Sequence, residues 1–429
     1  ARFWLATAGT AVAAGLLGVL MMIVLRFVEH RAYGFHTGSF ESGVQSASGS
    51  RRLLVLAVAG LFTGAGWYVV RRLMRAQNSD LDDALWAGEG LLSIRRSLAS
   101  STLSEIAVGA GASLGREAAP KLLGAASGSL ISRWAGLSPA QRRLLVACGG
   151  GAGVAAIYNV PLGGALLAAE VLYGSLTLPV VLPALVSSAV ATIVAWIYLP
   201  NTPTYLHVPS YHIDASLVVW SVPSGLLIGI LTVVYIRLIG AVSAHRPQGW
   251  RLVAATTVVF AALGLVGLHY PQILGNGRDL AAPTFLGIGS LGLLAALAAL
   301  KPLATVACVG SGASGGLLTP TLATGAALGG FLGLAWTHLW SGAPAGAFAL
   351  VGAAAMLSAG LQAPLTGLVL MVEFTGTGTS VIVPMLIAAV LATTVARYVD
   401  GYSIYSVRLP AVPIGASADV GPEGEPDRG

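Results

Sequence analysis

An arginine–glutamate pair stands out in a chain that carries few charges. Arg116 and Glu117 end a glycine-rich stretch within Gly109–Pro120 (G-A-G-A-S-L-G-R-E-A-A-P), and a helix-compatible run follows from Lys121 to Leu130. Most of the flanking sequence is long and apolar, so both side chains are expected at membrane depth. Ionisable groups are costly there and mark functional sites by default. A buried structural ion pair is the alternative interpretation of the same two residues.

A second glycine-rich segment lies 200 residues later. Gly315–Pro320 (G-G-L-L-T-P) aligns with the end of the first motif, G-R-E-A-A-P. In the same order, Gln362–Gly367 (Q-A-P-L-T-G) aligns with Asn159–Gly164 (N-V-P-L-G-G), 203 residues apart. Both copies of this second motif reach a glutamate at the same distance, at Glu170 and Glu373. Two motif pairs at nearly equal offsets indicate an internal repeat.

Both copies of the first motif lead from glycines into a helix. Glycine lets backbone N–H groups approach a ligand closely, and the N-terminal end of a helix attracts anions. Unpaired backbone at membrane depth is tolerated only where it lines a cavity. Two such N-termini, one per repeat, therefore predict a shared anion site of the kind found in transporters with broken helices. Close helix packing is the alternative use of glycine and accounts for most of the 56 glycines.

The elements that position these motifs are predicted to be long apolar helices. The 429 residues are 55% hydrophobic and 9% charged, which no ordinary soluble domain matches. Seven segments lack Asp, Glu, Lys and Arg and are each long enough to span a hydrocarbon core of about 30 Å. They are Trp4–Leu25, Leu53–Val70, Leu145–Ala169, Ala215–Ile236, Leu252–Leu268, Pro302–Val372 and Phe374–Ala396. The predicted fold is an all-α polytopic membrane protein with two inverted-topology repeats, located as a multi-pass protein in the cell membrane.

The positive net charge is interpreted as topology. It is +6, and the cluster Arg71, Arg72 and Arg75 directly follows an apolar run, which predicts a cytoplasmic end and argues against nucleic-acid binding. Cys148 and Cys308 match no metal or disulfide pattern. We therefore expect neither a metal nor a cofactor.

The repeats set the predicted boundaries. Residues 1–200 form the first transmembrane repeat, 201–214 a proline-containing linker, 215–409 the second repeat and 410–429 a disordered polar tail. Within this frame, Arg26–Arg52 is expected to be a polar loop. Gly149–Gly151 is expected to interrupt a helical run, and one helix is expected at Leu286–Leu300.

These motifs resemble the CLC family of chloride channels and chloride/proton exchangers. G-R-E-A-A-P is similar to the family's G-R-E-G-P motif, and G-G-L-L-T-P to its G-x-F-x-P motif. Gln362–Glu373 and Asp400–Ser406 are similar to family segments at the same places, so the likeness covers the membrane region in order. It implies chloride as substrate, protons as the partner ion in exchangers, and a homodimer in the lipid bilayer with one pore per subunit.

The resemblance also implies roles for individual residues. Glu117 would be the gate, whose carboxylate competes with the anion and carries the proton. Tyr405 would donate its hydroxyl to the anion, and the backbone N–H groups of Leu317 and Leu318 would line the same site. The implied anion-binding set is Gly115, Arg116, Glu117, Gly316, Leu317, Leu318 and Tyr405.

Four departures from the family pattern bear on mechanism. The first-repeat serine motif is absent, and Ser79 is the candidate replacement, although it also reads as a helix N-cap. Leu318 stands where the family has phenylalanine. Val171, after Glu170, occupies the usual internal proton-relay position, which leaves Glu170 as a possible substitute or as a structural acid. Lys121, four residues after Glu117, would either tune the gate or reach a polar edge.

The favoured function is therefore chloride/proton antiport gated by Glu117. The alternatives are a passive CLC-type chloride channel, and fluoride or nitrate as substrate. A remote alternative is an intramembrane serine hydrolase, because Ser113 and Ser314 each lie in a G-x-S-x-G pattern. Such an enzyme needs a histidine partner at membrane depth, and the seven histidines lie in or near loops and a helix end. No enzyme activity is expected.

Overall fold

The computed structural model describes residues 1–74, 81, 85, 90–377 and 380–408. The described chain is built from helices joined by short connections. In chain order they are α1 (Arg2–Tyr33), α2 (Phe40–Ser46), α3 (Gly49–Leu73), α4 (Ile94–Gly109), α5 (Ala118–Trp134), α6 (Pro139–Tyr158), α7 (Pro161–Leu166), α8 (Leu178–Ala195), α9 (Ala215–Ala244), α10 (Trp250–Val266), α11 (Arg278–Phe285), α12 (Leu291–Gly310), α13 (Leu318–Trp336), α14 (Ala345–Leu361), α15 (Pro364–Thr375) and α16 (Ile382–Val399). A π-helical turn, Leu167–Tyr173, continues α7.

Length and composition agree with a multi-pass membrane protein. Within the described residues, seven helices have at least 18 residues and are apolar enough to cross a bilayer, namely α1, α3, α8, α9, α12, α13 and α16. Large apolar side chains on them remain exposed, such as Leu16, Leu61 and Ile230. In a bilayer these side chains face lipid, so their exposure is favourable. The all-α polytopic prediction is confirmed.

The two halves are built alike. The packing of α5 on α6 recurs as α13 on α14, that of α6 on α8 as α14 on α16, and that of α1 on α8 as α9 on α16. This correspondence is what the motif repeat predicts. Residues 201–214 form no helix, but they pack on the second half. The Tyr205 N–H donates to the Phe374 carbonyl (2.8 Å), and the Tyr211 hydroxyl donates to the Phe285 carbonyl (2.7 Å). The predicted tail, 410–429, lies outside the described residues.

The expected polar loop at Arg26–Arg52 was wrong at both ends. α1 continues through Arg26 and Glu29 as far as Tyr33, whose hydroxyl donates to the Ala110 carbonyl at 2.7 Å. α3 already begins at Gly49, where the preceding Ser48 side chain accepts from the Arg51 N–H. The charged residues that continue α1, Arg26 and Glu29, line a cavity described below, and Arg51 and Arg52 at the start of α3 donate to backbone carbonyls.

Two other sequence predictions were also wrong. Gly149–Gly151 does not interrupt α6, because these glycines serve packing: a Cβ on Gly149 would run into the carbonyl oxygen of Gly124 on α5. The helix expected at Leu286–Leu300 instead begins at Leu291, capped by Ser290, and continues past Lys301 to Gly310. A run without charges could not locate this helix, because the helix contains a charged residue. Lys301 is buried within it, and its ammonium donates three hydrogen bonds. Asn159 instead caps the C-terminus of α6 in the left-handed conformation (φ 57°).

Candidate anion site and gate

The two glycine-rich segments meet in the centre of the molecule. Gly115 N–H donates to the Gly316 carbonyl at 2.7 Å, and Gly316 N–H donates back to the Gly115 carbonyl at 2.8 Å. This antiparallel bridge brings the start of α5 against the start of α13. Each repeat thus contributes one helix N-terminus to the same place.

The carboxylate of Glu117 occupies the N-terminal end of α13. Its Oε1 accepts from the backbone N–H of Leu318 at 2.8 Å, and its Oε2 accepts from the hydroxyls of Thr319 (3.0 Å) and Tyr158 (3.1 Å). The side chain is fully buried. We call these three donors the carboxylate site. A helix N-terminus with hydroxyl donors is a general anion-binding arrangement, and here the protein's own anion fills it.

Glycine is required on both sides of this carboxylate. A Cβ added at Gly115 or at Gly316 would contact the carboxylate of Glu117. Neither residue has a positive φ, so the requirement is space and not backbone conformation. The glycines therefore make the cavity in which the Glu117 side chain lies.

Arg116 turns away from its neighbour. Its guanidinium lies over the ring of Tyr158, 4.8 Å from the ring centroid, while Glu117 faces α13. The cation thus contacts the same tyrosine whose hydroxyl holds the Glu117 carboxylate. Arg116 also lines a charged cavity between α1 and α11, described below.

Lys121 lies on α5, one turn after Glu117, and its side chain contacts Tyr405 from the C-terminal part of the described chain. The Lys121 ammonium is 3.8 Å from the centroid of the Tyr405 ring, and the Arg408 guanidinium is 5.8 Å from it. Lys121 is buried, at 6% exposure, so its side chain does not reach an exposed edge. Two cations therefore surround the tyrosine that the family likeness assigns to the anion. Leu317 is buried directly before α13.

Glu170 and Glu373 cap helices of the opposite repeat. Oε2 of Glu170 accepts from the N–H (2.7 Å) and the hydroxyl (2.6 Å) of Thr366, in the first turn of α15. Glu373 accepts from the N–H groups of Leu162 (3.0 Å) and Gly163 (2.6 Å), in the first turn of α7. Both carboxylates satisfy N–H groups that a helix start leaves open. Their geometry is structural, and Val171 beside Glu170 is buried in the π-helical turn.

The Ser113 of the first G-x-S-x-G pattern contacts a lysine. Its hydroxyl accepts from Lys301 Nζ at 3.0 Å and lies 3.2 Å from the Thr305 hydroxyl. Lys301 also donates to the carbonyls of Ile273 (3.0 Å) and Gly275 (2.8 Å), so all three donors of a charged ammonium are used. Ser79 lies outside the described residues.

A charged cavity of about 270 Å³ leads to Arg116, and we call it the vestibule. Its charged walls are Arg26 and Glu29 of α1, Arg278 and Asp279 of α11, and Arg116 itself. Beside it, Glu41 N–H donates to Asp279 Oδ2 at 3.0 Å. Burial, and next the nearby Asp279, raise the pKa of Glu41 to about 7, against the hydrogen bonds from Gln272 and Gln45.

Sequence reasoning missed Tyr158, Thr319 and the vestibule. Thr319 lies inside the second-repeat motif and Tyr158 directly precedes the Asn159 motif, so position within a motif was an available signal. For the vestibule, the signal was a pair of charges, Arg26 and Glu29, placed directly after an apolar run.

Comparison with known proteins identifies the family. A sequence model described as voltage-gated chloride channel matches residues 55–397, which is most of the chain. The chain belongs to this family, the CLC proteins. A putative chloride channel protein, ClcB-like, from Ralstonia nicotianae is 31% identical over 416 residues, covering 92% of this chain and 94% of the relative. A voltage-gated ClC-type chloride channel, ClcB, from Salmonella typhimurium is 30% identical over 412 residues, covering 91% and 97%.

Solved CLC structures share the fold. A slow cyanobacterial Cl⁻/H⁺ antiporter superposes with a TM-score of 0.83 at 20% identity, over 95% of this CLC chain and 97% of the other. A CLC-type fluoride/proton antiporter gives 0.74 at 20% identity over the same shares. At this identity the likeness shows architecture alone.

Proposed function

We propose that this CLC protein is a chloride/proton antiporter in which Glu117 is the gate. One observation carries the proposal: the Glu117 carboxylate fills the N-terminal end of α13, where a transported anion would be held. A carboxylate and a halide are both monovalent anions, so the carboxylate site holds one or the other. Antiport, and not transport alone, is also what the two structural neighbours named above are described as doing.

Protonation supplies the coupling. A proton on Glu117 removes the charge that the Leu318 N–H and the Thr319 and Tyr158 hydroxyls stabilise, and hydrogen bonds to a charged group are the stronger ones. The neutral side chain then leaves, and chloride takes the freed donors. When the proton is lost, the carboxylate competes with chloride again. One proton and one anion site are linked in this way without a separate coupling element.

Three cations near Glu117 and Tyr405 support the proposed anion path. Arg116 lies at the vestibule end of the path, and Lys121 and Arg408 lie around Tyr405 one turn beyond Glu117. Their charges attract an anion from either side. Chloride is the proposed substrate, with fluoride and nitrate as alternatives to be compared. Because both repeats of one chain supply the whole carboxylate site, each subunit of the proposed homodimer has its own path.

A passive chloride channel is the second candidate. It is favoured by Val171, which leaves the usual internal relay position without an acid, and by the names of the relatives. Hydrolysis is the remote third candidate. Lys301 donates to the Ser113 hydroxyl and to two carbonyls. The charged ammonium that makes these three bonds has no lone pair, so it does not activate that serine as a base. We therefore propose that the protein is not an enzyme.

One experiment distinguishes antiporter from channel. The protein is reconstituted in liposomes with an outward chloride gradient, and chloride efflux and proton uptake are recorded together. We expect uphill proton uptake in the wild type and none in Glu117→Gln, in which chloride efflux persists. Fast efflux without proton uptake in the wild type would instead support the channel. Repeating the efflux with nitrate and fluoride ranks the substrates.

A further inference from the structure

Glu105 is a buried acid that the gate described above does not use. It lies in α4 and is 0% exposed, and neither of its carboxyl oxygens has a hydrogen-bond partner among the described residues. A buried carboxylate without partners is costly while it is charged, and it loses most of that cost when it takes up a proton. Its surroundings therefore favour the neutral, protonated form of the carboxyl group.

The face of α4 that carries Glu105 lies between the gate and the vestibule. One turn before it, the Ser101 hydroxyl donates to the Ala119 carbonyl at 3.3 Å, in the first turn of α5 and two residues after Glu117. One turn after it, Gly109 packs on α1, where an added Cβ would lie 3.1 Å from Val28 Cβ. Residues four apart share a helix face. Glu105 is thus flanked by the start of the gate helix and by the α1 wall of the vestibule.

The charges acting on Glu105 belong to the gate and the vestibule. They are those of Arg116, Glu117 and Glu29. Arg116 and Glu29 both line the vestibule, and so does Val108, three residues from Glu105 on the same helix. Glu105 is therefore close enough to Glu29 at the cavity wall, to Glu117 and to the cation Arg116 for their charges to act on it.

Four cations near α4 or on the elements packed against it have contacts elsewhere. On α3, Arg71 donates to the Gly312 carbonyl and Arg72 donates to the Tyr68 hydroxyl. On α5, Lys121 lies over the ring of Tyr405. At the start of α4, Arg95 and Arg96 are more than two turns from Glu105, and Arg96 donates to the Met74 carbonyl. Arg116 is accordingly the cation that balances Glu105 when this carboxyl group is ionised.

We propose that Glu105 carries protons between the vestibule and Glu117. The two carboxyl groups are not in hydrogen-bond contact in this structure, so the proton of Glu105 passes to the carboxylate of Glu117 through an intervening water or when one of the two side chains turns toward the other. Glu105 is left as a carboxylate beside Arg116, and Glu117 becomes neutral and leaves the carboxylate site. A proton from the vestibule, where Glu29 lies, then restores Glu105. The inference rests on the proposed antiport and adds a second protonatable residue to it.

The test is Glu105→Gln in the liposome assay, since glutamine keeps the shape and cannot titrate. We expect chloride efflux to persist while chloride-driven proton uptake falls about tenfold or more, the range over which positioned acids act. The pH dependence of efflux should flatten, and Glu105→Asp should retain proton uptake. Glu373→Gln is the matched control, because that glutamate already caps α7, and it should keep the wild-type ratio of protons to chloride.

Each contrary outcome has a distinct meaning. If Glu105 were only a structural partner of Arg116, Glu105→Gln would lower efflux and proton uptake in equal proportion, and an unchanged ratio overturns the relay. Absence of proton uptake in the wild type overturns both the antiport and the relay. Should Glu105→Gln fail to fold, Glu105→Asp decides: a shifted pH profile supports the relay, and a wild-type profile contradicts it.

Discussion

At the scale of single residues, the position of Glu117, the proposed gate, depends on space as much as on charge. The Glu117 carboxylate has its three donors, but it fits between them because Gly115 and Gly316 lack side chains. The atom that a new Cβ would meet is the mobile end of a glutamate, not a rigid backbone. A small side chain at either glycine should therefore move the gate and leave the fold intact.

Gly316→Ala is expected to hold the gate open. Loss of one hydrogen bond to the charged Glu117 is worth about 1.5–3 kcal/mol, which corresponds to roughly tenfold or more in occupancy of the site. Chloride efflux at neutral pH should rise towards its rate at low pH, as measured with a chloride electrode. Gly292→Ala is the control, since a Cβ there meets nothing within 4 Å. A wild-type pH profile in Gly316→Ala would contradict the idea.

The sequence predicted part of this site. Glu117, Leu318 and the paired glycines could be predicted, because each lies inside a repeated motif. Tyr158 could not, since its hydroxyl is supplied by the end of α6 and reaches Glu117 only through tertiary packing. Glu105 was equally hidden, because a single acid in a helical run shows nothing about which neighbour it faces. Roles for Tyr405 and Lys121 stay predictions, with geometry that places them side by side.

At the scale of elements, short helices complete the vestibule. α2 is too short to span a membrane, yet its Glu41 N–H binds Asp279 at the start of α11. Charge-free apolar runs located α1, α3, α9 and α16, apart from their ends. Prediction failed where charges continue a helix, as in α1, and where glycines serve packing, as in α6. In both cases the deciding partner is on another element.

Burial of the Glu41 carboxyl group, close to Asp279, should make the stability of the fold depend on pH. Because the pKa of Glu41 rises from 4.5 to about 7, the folded state binds this proton more tightly than the unfolded state does. That contribution is complete below pH 4.5 and is lost as the pH rises through 7. Glu41→Gln, neutral throughout, should gain thermal stability relative to the wild type across this range. Thermal unfolding in detergent at pH 5 to 8 measures it, and a constant difference would contradict the assignment.

At the scale of the whole molecule, the two repeats stabilise each other's helix starts. Glu170 of the first repeat caps α15, and Glu373 of the second caps α7. The repeat itself was readable from sequence, whereas the exchange of caps between repeats was not. The offset between two motifs carries no information about which copy a side chain contacts.

Loss of one exchanged cap should weaken the whole molecule. Glu373→Ala leaves the Leu162 and Gly163 N–H groups without their acceptor, and loss of a helix cap costs about 0.5–2 kcal/mol. We expect a lower midpoint of thermal unfolding, followed by tryptophan fluorescence. Glu373→Gln keeps one acceptor oxygen and should lose less. A wild-type midpoint in Glu373→Ala would show that the cap adds no measurable stability.

The exchanged caps also bear on biosynthesis. When a ribosome has delivered residues 1–200 to the membrane, α7 and Glu170 exist, but Glu373 and Thr366 have not yet been made. Until the second half is inserted beside it, the N–H groups at the start of α7 lack their acceptor, and the Glu170 carboxylate lacks its donors. We expect fragments 1–210 and 211–429 to be degraded when either is produced alone, and to accumulate and co-purify when both are produced in one cell. Independent survival of either fragment would mean that its caps can be replaced from within.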